Sequence, residues 1–150
     1  MPNFANTRTT VINAPAATIH ALVNDFHEWT KWSPWEGLDP DLKRTYTGPE
    51  AGVGSEYAWK GNNKTGCGSM AITASTPEQI ALDLEFLKPF KASNKVTFTF
   101  TAASGGTKVA WGMSGKRNVA FAVLGALFFD KAIAKDYDKG LAQLKAAAEG

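Results

Sequence analysis

The sequence predicts an α+β fold in which a curved antiparallel sheet of seven strands wraps around a long C-terminal helix. Six segments between Leu42 and Gly115 alternate apolar with polar residues and are separated by turn signals, a pattern typical of strands covered on one face only. The last segment instead repeats its apolar residues at helical spacing. A chain of 150 residues with 44% hydrophobic and 20% charged residues fits one globular domain, residues 1–150.

The N-terminal part of the chain predicts one strand and two short helices. Phe4–Ile12 is rich in threonine, valine and isoleucine, as strands are. Ala16–Asp25 follows a proline and carries apolar residues at helical spacing. Trp29, Trp32 and Trp35 lie three residues apart and indicate a short helix or turn that carries an aromatic cluster.

Six further strands are predicted before the last helix, so that the element order is β-α-α-β-β-β-β-β-β-α. They cover Leu42–Thr47, Ser55–Lys60, Gly66–Ser75, Gln79–Leu87, Lys95–Thr101 and Thr107–Gly115. On the fifth segment of this series, for example, Val96 and Phe98 alternate with threonines. Each strand therefore offers one apolar face to a common core.

The C-terminal helix is predicted from an apolar stripe formed by Ile133, Tyr137, Leu141, Leu144 and Ala148. A second stripe, Phe121, Leu124 and Phe128, lies on nearly the opposite side of a continuous helix. We therefore expect the helix to bend or break near Asp130–Ala134, unless its first half is covered on two sides. We also expect Val119–Phe129 to pack at a cavity mouth or a subunit contact.

Charge, cysteine content and hydropathy exclude several classes of protein. Sixteen basic and fourteen acidic residues give a net charge of +2, too small for a nucleic-acid-binding footprint. Cys67 is the one cysteine, so no intrachain disulfide can form. The apolar run Val119–Phe129 is too short to cross a bilayer, and Met1–Thr10 lacks the apolar region of a signal peptide. We expect a cytoplasmic protein without membrane insertion.

The order of elements and several short motifs resemble the START-like, polyketide cyclase/dehydrase group of the SRPBCC superfamily. The motifs that carry the resemblance are Ile12-Asn-Ala-Pro15, Trp29-Thr-Lys-Trp32-Ser-Pro-Trp35, Gly48-Pro49, Gly52-Val-Gly-Ser55, Trp59-Lys-Gly-Asn62, Gly66-Cys-Gly68, Thr107-Lys-Val-Ala-Trp-Gly-Met-Ser-Gly115 and Asp136-Tyr-Asp-Lys-Gly-Leu-Ala-Gln-Leu-Lys145. The resemblance spans nearly the whole chain. It implies the helix-grip fold, which pollen-allergen lipid carriers share, and an apolar cavity between sheet and helix that holds lipids, polyketides or similar molecules.

The cavity is expected to be lined by inward-facing side chains of the strands and of the C-terminal helix. The candidates are Tyr57, Trp59, Leu84, Phe98, Phe100, Trp111, Met113, Phe128, Ile133 and Tyr137. We expect a hollow of roughly 300 Å³ or more, with Asp130 or Tyr137 as a polar anchor. One side of the Trp111 ring is then expected to lack neighbours, so that its removal costs less stability than removal of a fully packed aromatic residue.

Catalytic chemistry has weaker support in the sequence. His27, Asp130 and Tyr137 are the candidates for acid–base work in an apolar pocket. His20 and His27 are seven residues apart but lack a clear third ligand, so no metal site and no cofactor are expected. Cys67 has no activating base that can be placed from sequence and is interpreted as a small strand residue.

Three functions remain open. The sequence favours a non-catalytic carrier or sensor of a small hydrophobic molecule, because the fold implies a cavity and no convincing catalytic set is present. The first alternative is a cofactor-free cyclase or dehydratase acting on a polyketide-like substrate. The second alternative is a protein-interaction module of the chaperone-activator type. A homodimer is left open in each case.

Overall fold

The structure is a computed structural model that describes residues 3–33, 42–61, 67–88, 92–116 and 126–150. Side chains are described for residues 7–33, 42–61, 67–87, 93–114 and 134–150.

The described residues form seven strands, two helices and one 3₁₀ turn. The strands are β1 (Asn3–Ile12), β2 (Lys43–Thr47), β3 (Glu56–Lys60), β4 (Cys67–Thr76), β5 (Gln79–Lys88), β6 (Ala92–Ala103) and β7 (Gly106–Lys116). Helix α1 (Ala16–Val23) and a 3₁₀ turn (Glu28–Lys31) lie between β1 and β2, and helix α2 (Ala126–Glu149) is the last element.

The strands form one curved antiparallel sheet in the order β1-β7-β6-β5-β4-β3-β2. Strands β2 to β7 pair with their neighbours in sequence, whereas β1 pairs with β7 along Asn3–Ile12. Strands that follow each other in sequence therefore pair to build most of the sheet, and β1 forms one edge of the sheet beside β7. The predicted helix-grip fold, with its seven strands and its element order, is confirmed.

Helix α2 is fastened to the edge strand β1 by polar contacts on its exposed side. The guanidinium of Arg8 donates two hydrogen bonds of 2.8 Å to the Asp138 carboxylate. Lys145 Nζ donates to the carbonyl oxygen of Val11 at 3.1 Å, and Glu149 Oε2 accepts from the backbone N–H of Asn13 at 2.7 Å. These contacts hold the second half of α2 in one register along the sheet.

The Glu149 carboxylate also pairs with Lys145 one turn earlier in α2. The hydrogen bond from Lys145, with a smaller contribution from the Asn13 N–H, lowers the pKa of Glu149 below its usual value. Folding therefore favours the ionised form of this carboxyl group.

The buried stripe of α2 matches the prediction where its side chains are described. Tyr137, Leu141 and Leu144 are buried in the core, and Ala148 packs against it. A break near Asp130–Ala134 is wrong, because α2 is helical without interruption from Ala126 to Glu149; a bend there, or a first half that is covered on two sides, stays a prediction. An apolar stripe shows which side of a helix is covered but does not by itself end the helix.

Several expectations lie outside the described residues. Trp35 and the segment 117–125 belong to this group, as do the side chains of Phe128, Asp130 and Ile133. The expected position of Val119–Phe129 at a cavity mouth is therefore still a prediction. No helix in the described part of the chain is both long and apolar enough to cross a membrane.

Candidate functional site on the inner face of the sheet

The face of the sheet that α2 covers, called here the inner face, carries the apolar residues of every alternating strand. On β5, Leu82 and Leu84 are buried, whereas Asp83 between them is partly exposed. Asp83 forms an ion pair with Lys95 of β6 on the opposite, outer face. The outer face is therefore solvated as predicted, and any site for an apolar molecule must lie on the inner face.

A group of five aromatic residues, called here the Trp111 cluster, fills one part of the inner face. Its members are Trp29, Trp32, Phe98, Trp111 and Tyr137. The Tyr137 ring of α2 stacks on Trp111 with centroids 3.8 Å apart and planes 11° apart. Phe98 lies beside Trp111 on the neighbouring strand at 4.9 Å, and Trp29 and Trp32 meet it edge-on at 6.3 and 5.5 Å.

Trp29 and Trp32 are held in place by the end of helix α1. The indole Nε1 of Trp29 donates to the carbonyl oxygen of Val23, and that of Trp32 donates to the carbonyl oxygen of Leu22, both at 2.8 Å. Carbonyl groups in the last turn of a helix have no partner within the helix. The two indoles therefore satisfy α1 while their rings cover the inner face.

The structure shows how closely Trp111 and Tyr137 are packed. The expectation that one side of the Trp111 ring lacks neighbours is wrong, because Trp111 is 1% exposed and aromatic rings of the cluster surround it. Tyr137 is equally buried, and burial raises the pKa of its hydroxyl, with a smaller opposing effect from Trp111. Both residues have the surroundings of packed core.

A second group of aromatic residues, called here the aromatic row, follows the inner face from β2 to β5. Its members are Tyr46, Tyr57, Trp59 and Phe86. Successive centroids are 5.3, 6.1 and 5.9 Å apart. All four side chains are half-buried, in contrast to the Trp111 cluster. The aromatic row is therefore the part of the described inner face where large apolar surfaces are still accessible.

Gly68 allows Trp59 to lie flat along the sheet. The two residues face each other across β3 and β4, and a Cβ atom at position 68 would lie 2.7 Å from Cη2 of Trp59 and would also collide with the carbonyl oxygen of Glu85. Any larger residue would push the indole or the strand away. Gly68, the second glycine of the motif Gly66-Cys-Gly68, therefore has a physical role in the fold.

His27 stands at the end of the aromatic row. Its imidazole stacks on Tyr46 with centroids 4.0 Å apart, and its Nδ1 lies 2.8 Å from Oδ1 of Asp25. When Nδ1 donates this hydrogen bond, Nε2 is left as the acceptor, the state in which an imidazole takes up a proton. Among the three predicted acid–base residues, His27 is the one with a described contact to the aromatic row.

Asn94 is a polar residue on the inner face that the sequence analysis missed. It lies two residues before Val96 in the alternation of β6, and it is 5% exposed. Its Nδ2 has no hydrogen-bond partner among the described residues. The predicted strand began at Lys95, whereas β6 begins at Ala92. The alternation of Asn94 with Val96 and Phe98 was the available signal.

The remaining cavity candidates have mixed surroundings. Leu84, Phe98, Phe100 and Met113 are buried on the inner face. Phe100 lies 5.7 Å from the ring of His20. Tyr57 and Trp59 lie in the aromatic row. That these residues line a cavity stays a prediction, as does the volume of that cavity.

The described residues contain no cluster of metal ligands. No three or more histidine, cysteine, aspartate or glutamate residues among them lie together in a group that could hold a metal ion. Nε2 of His20 lies 3.4 Å from Oγ of Ser75, and this hydroxyl donates a hydrogen bond to Oδ1 of Asn24. His20 is therefore part of the contact between α1 and β4. Cys67 is half-buried and unbridged and lies opposite Lys60.

A comparison with protein families finds one match that spans almost the whole chain. The model of the family described as polyketide cyclase / dehydrase and lipid transport matches residues 4–149. No curated protein matches the sequence significantly.

Solved structures share the fold at low sequence identity. The di-domain ARO/CYC BexL from the BE-7585A biosynthetic pathway is similar with a TM-score of 0.75 and 18% identity, over 99% of this chain and 50% of that chain. The Aha1 dimer from Colwellia psychrerythraea gives 0.69 and 18%, over 99% and 97%. A protein of unknown function from Staphylococcus aureus gives 0.74 and 7%, over 99% and 94%. These similarities support the fold alone.

Proposed function

The chain belongs to the polyketide cyclase / dehydrase and lipid transport family of the SRPBCC superfamily, and on that premise we propose that it binds a small hydrophobic molecule on the inner face of its sheet, against the aromatic row. The observation that carries the proposal is the half-buried state of Tyr46, Tyr57, Trp59 and Phe86. Contact between aromatic surface and water is unfavourable, and a bound apolar molecule removes that contact.

The Trp111 cluster supports a site at the aromatic row, because its own rings already fill the other aromatic part of the inner face. Trp29 and Trp32 cover Trp111 and Phe98, and their indoles are fixed by hydrogen bonds to α1. A ligand at that place would have to displace rings that are fully packed. The aromatic row requires no such displacement, so binding there costs less reorganisation.

The proposal is tested by titration with an uncharged fluorescent probe, N-phenyl-1-naphthylamine. Saturable binding to the wild-type protein is expected. Phe86→Ala should weaken it about 5- to 13-fold, because a lost aromatic contact of about 40–60 Å² is worth roughly 1–1.5 kcal/mol. Leu87→Ala is the matched control, since Leu87 is the next residue of β5 and is exposed on the outer face.

Two results would contradict the proposal. One is the absence of saturable binding to the wild-type protein. The other is equal weakening by Phe86→Ala and Leu87→Ala, which would place the probe elsewhere. Native mass spectrometry of protein from its own host then reports the mass of a bound natural molecule.

A cofactor-free cyclase or dehydratase is the second candidate, and the His27–Asp25 pair favours it. The imidazole of His27 stacks on Tyr46, the first residue of the aromatic row, so that a molecule bound along the row would lie near a proton acceptor. General acid–base residues typically contribute 10²- to 10⁴-fold to a rate. If this activity exists, His27→Ala should lower turnover of a poly-β-ketone thioester at least about 100-fold and leave probe binding within twofold. Unchanged turnover would exclude His27 as its acid or base.

A further inference from the structure

The side-chain Nδ2 of Asn94 is a buried hydrogen-bond donor without a partner in the described part of the fold. Asn94 lies on the inner face with Val96 and Phe98, while Lys95 between them is exposed and paired with Asp83. Its Nδ2 has no hydrogen-bond partner in the part of the chain that the structure describes. Buried polar groups are almost always paired, so an unpaired one requires an explanation.

The strand neighbours of Asn94 show what kind of group can meet this amide. Leu84 of β5 and Gly115 of β7 lie directly opposite it on its two sides. Leu84 is apolar, and Gly115 has no side chain that would cover the amide. Met113, diagonal to Asn94 on β7, is also apolar and buried. A partner for the amide must therefore come from outside this set of side chains.

The same stretch of the inner face adjoins the aromatic row. Leu84 pairs with Met70 of β4, and Met70 pairs with Tyr57 of β3. Phe86, a member of the aromatic row, is two residues from Leu84 on the same face of β5. A molecule of two fused rings lying against Phe86 thus has Asn94 diagonally across from it on the next strand, about 7–8 Å away.

We propose that Asn94 Nδ2 donates a hydrogen bond to an uncharged carbonyl oxygen of the molecule that binds along the aromatic row. This inference rests on the proposed function and specifies its ligand class. Nδ2 is a donor, so its partner must be an acceptor. A carbonyl oxygen leaves no donor of its own unpaired, whereas a hydroxyl group would. A carboxylate is disfavoured because Leu84 and Met113 provide no positive charge to offset its desolvation.

Two naphthalenes of nearly equal shape test the proposal. 2-Acetylnaphthalene carries the carbonyl oxygen, and 2-ethylnaphthalene lacks it. By calorimetric titration, the ratio of ketone affinity to hydrocarbon affinity should be about tenfold higher for the wild-type protein than for Asn94→Leu, because the cost of taking the ketone out of water is common to both proteins. Ser93→Ala, on the exposed outer side of the same strand, should keep the wild-type ratio.

A stability measurement supplies a readout that does not involve a ligand. Asn94→Leu replaces an unpaired buried amide with an apolar side chain of similar volume, so its Tm without ligand should rise by about 2–6 °C. A fall in Tm would mean that the amide is already satisfied in the free protein, for example by an ordered water, and would overturn the proposal. Should Asn94→Leu fail to fold, the wild-type protein alone decides. Its Asn94 side-chain N–H signals must shift with the ketone and not with the hydrocarbon.

The outcomes separate this inference from the function on which it rests. An equal ratio of ketone affinity to hydrocarbon affinity in the wild-type protein and in Asn94→Leu would overturn the role of Asn94 and leave hydrophobic binding intact. Failure of both naphthalenes and of N-phenyl-1-naphthylamine to bind would overturn the proposed function and, with it, the carbonyl contact.

Discussion

The different surroundings of two inner-face tryptophans lead to a sharp prediction about stability. Trp111 is 1% exposed, stacks on Tyr137 at 3.8 Å and has other rings of its cluster around it. Trp59 is half-buried and lies over Gly68. Replacing Trp111 with alanine should therefore cost the full amount expected of a packed aromatic residue, whereas Trp59→Ala should cost distinctly less.

The magnitudes follow from burial and ring contacts. Removing a buried Trp costs about 3–5 kcal/mol, and a well-packed aromatic pair adds about 0.5–1.5 kcal/mol to area burial. Trp111→Ala should thus lower the free energy of unfolding by at least about 3 kcal/mol. For Trp59, about 100 Å² of lost contact at 25 cal/mol per Å² gives roughly 2–3 kcal/mol as an upper estimate.

Urea unfolding followed by far-UV circular dichroism measures both changes without relying on tryptophan fluorescence. If Trp111→Ala leaves too little folded protein, Trp111→Phe keeps a ring against Tyr137 and should cost about 1–2 kcal/mol. A cost of Trp111→Ala below that of Trp59→Ala would refute the assignment of Trp111 to packed core. It would instead support a hollow beside its ring.

Three further predictions concern Gly68, Glu149 and Tyr137. Gly68→Ala should destabilise the protein by about 1–3 kcal/mol and shift the fluorescence of Trp59, because its Cβ would collide with the indole; unchanged fluorescence would contradict this. The folded-state pKa of Glu149 is lowered, so its contribution to stability is complete above the unfolded value of 4.5 and is lost as pH falls through the folded value. The Tm difference between wild type and Glu149→Gln should therefore shrink between about pH 5 and pH 3, and a constant difference would exclude the carboxylate. The folded-state pKa of Tyr137 is raised from 10.0, so the folded state binds more protons above pH 10 and loses stability as pH rises. Tyr137→Phe should make alkaline unfolding less steep, and an identical pH profile would contradict the pKa shift.

The sequence was sufficient to predict the sheet, because the alternation within each strand shows which of its faces is buried. Alternation such as Val96, Phe98 and Phe100 on β6 predicts both the strand and the side that is buried, and the structure agrees. The ends of strands were less predictable. Residues 92–94 of β6 contain small and polar residues without strand preference, and they join the sheet because β5 and β7 offer backbone partners. Asn94 was missed for this reason.

The periodicity of apolar residues could not predict contacts between elements that are distant in sequence. The pattern predicted that Trp111 faces inward, but not that Trp29 and Trp32 cover it. That depends on the path of the chain after α1. The hydrogen bonds from the two indoles to Leu22 and Val23 fix this path, and no spacing rule encodes them. The same limit explains the error about α2, which continues through Asp130–Ala134.

The aromatic residues of the inner face fall into two groups that differ in burial. In the Trp111 cluster, rings contact rings and the polar N–H groups of Trp29 and Trp32 are used within the fold. Filling the aromatic row with comparable side chains would strengthen the fold further, yet its rings stay half-buried and the amide of Asn94 nearby stays unpaired in the described part of the chain. Both features lower stability without a structural benefit. A bound molecule that covers the rings and accepts one hydrogen bond would remove both costs together, which is the physical reason to expect an apolar ligand with a carbonyl oxygen.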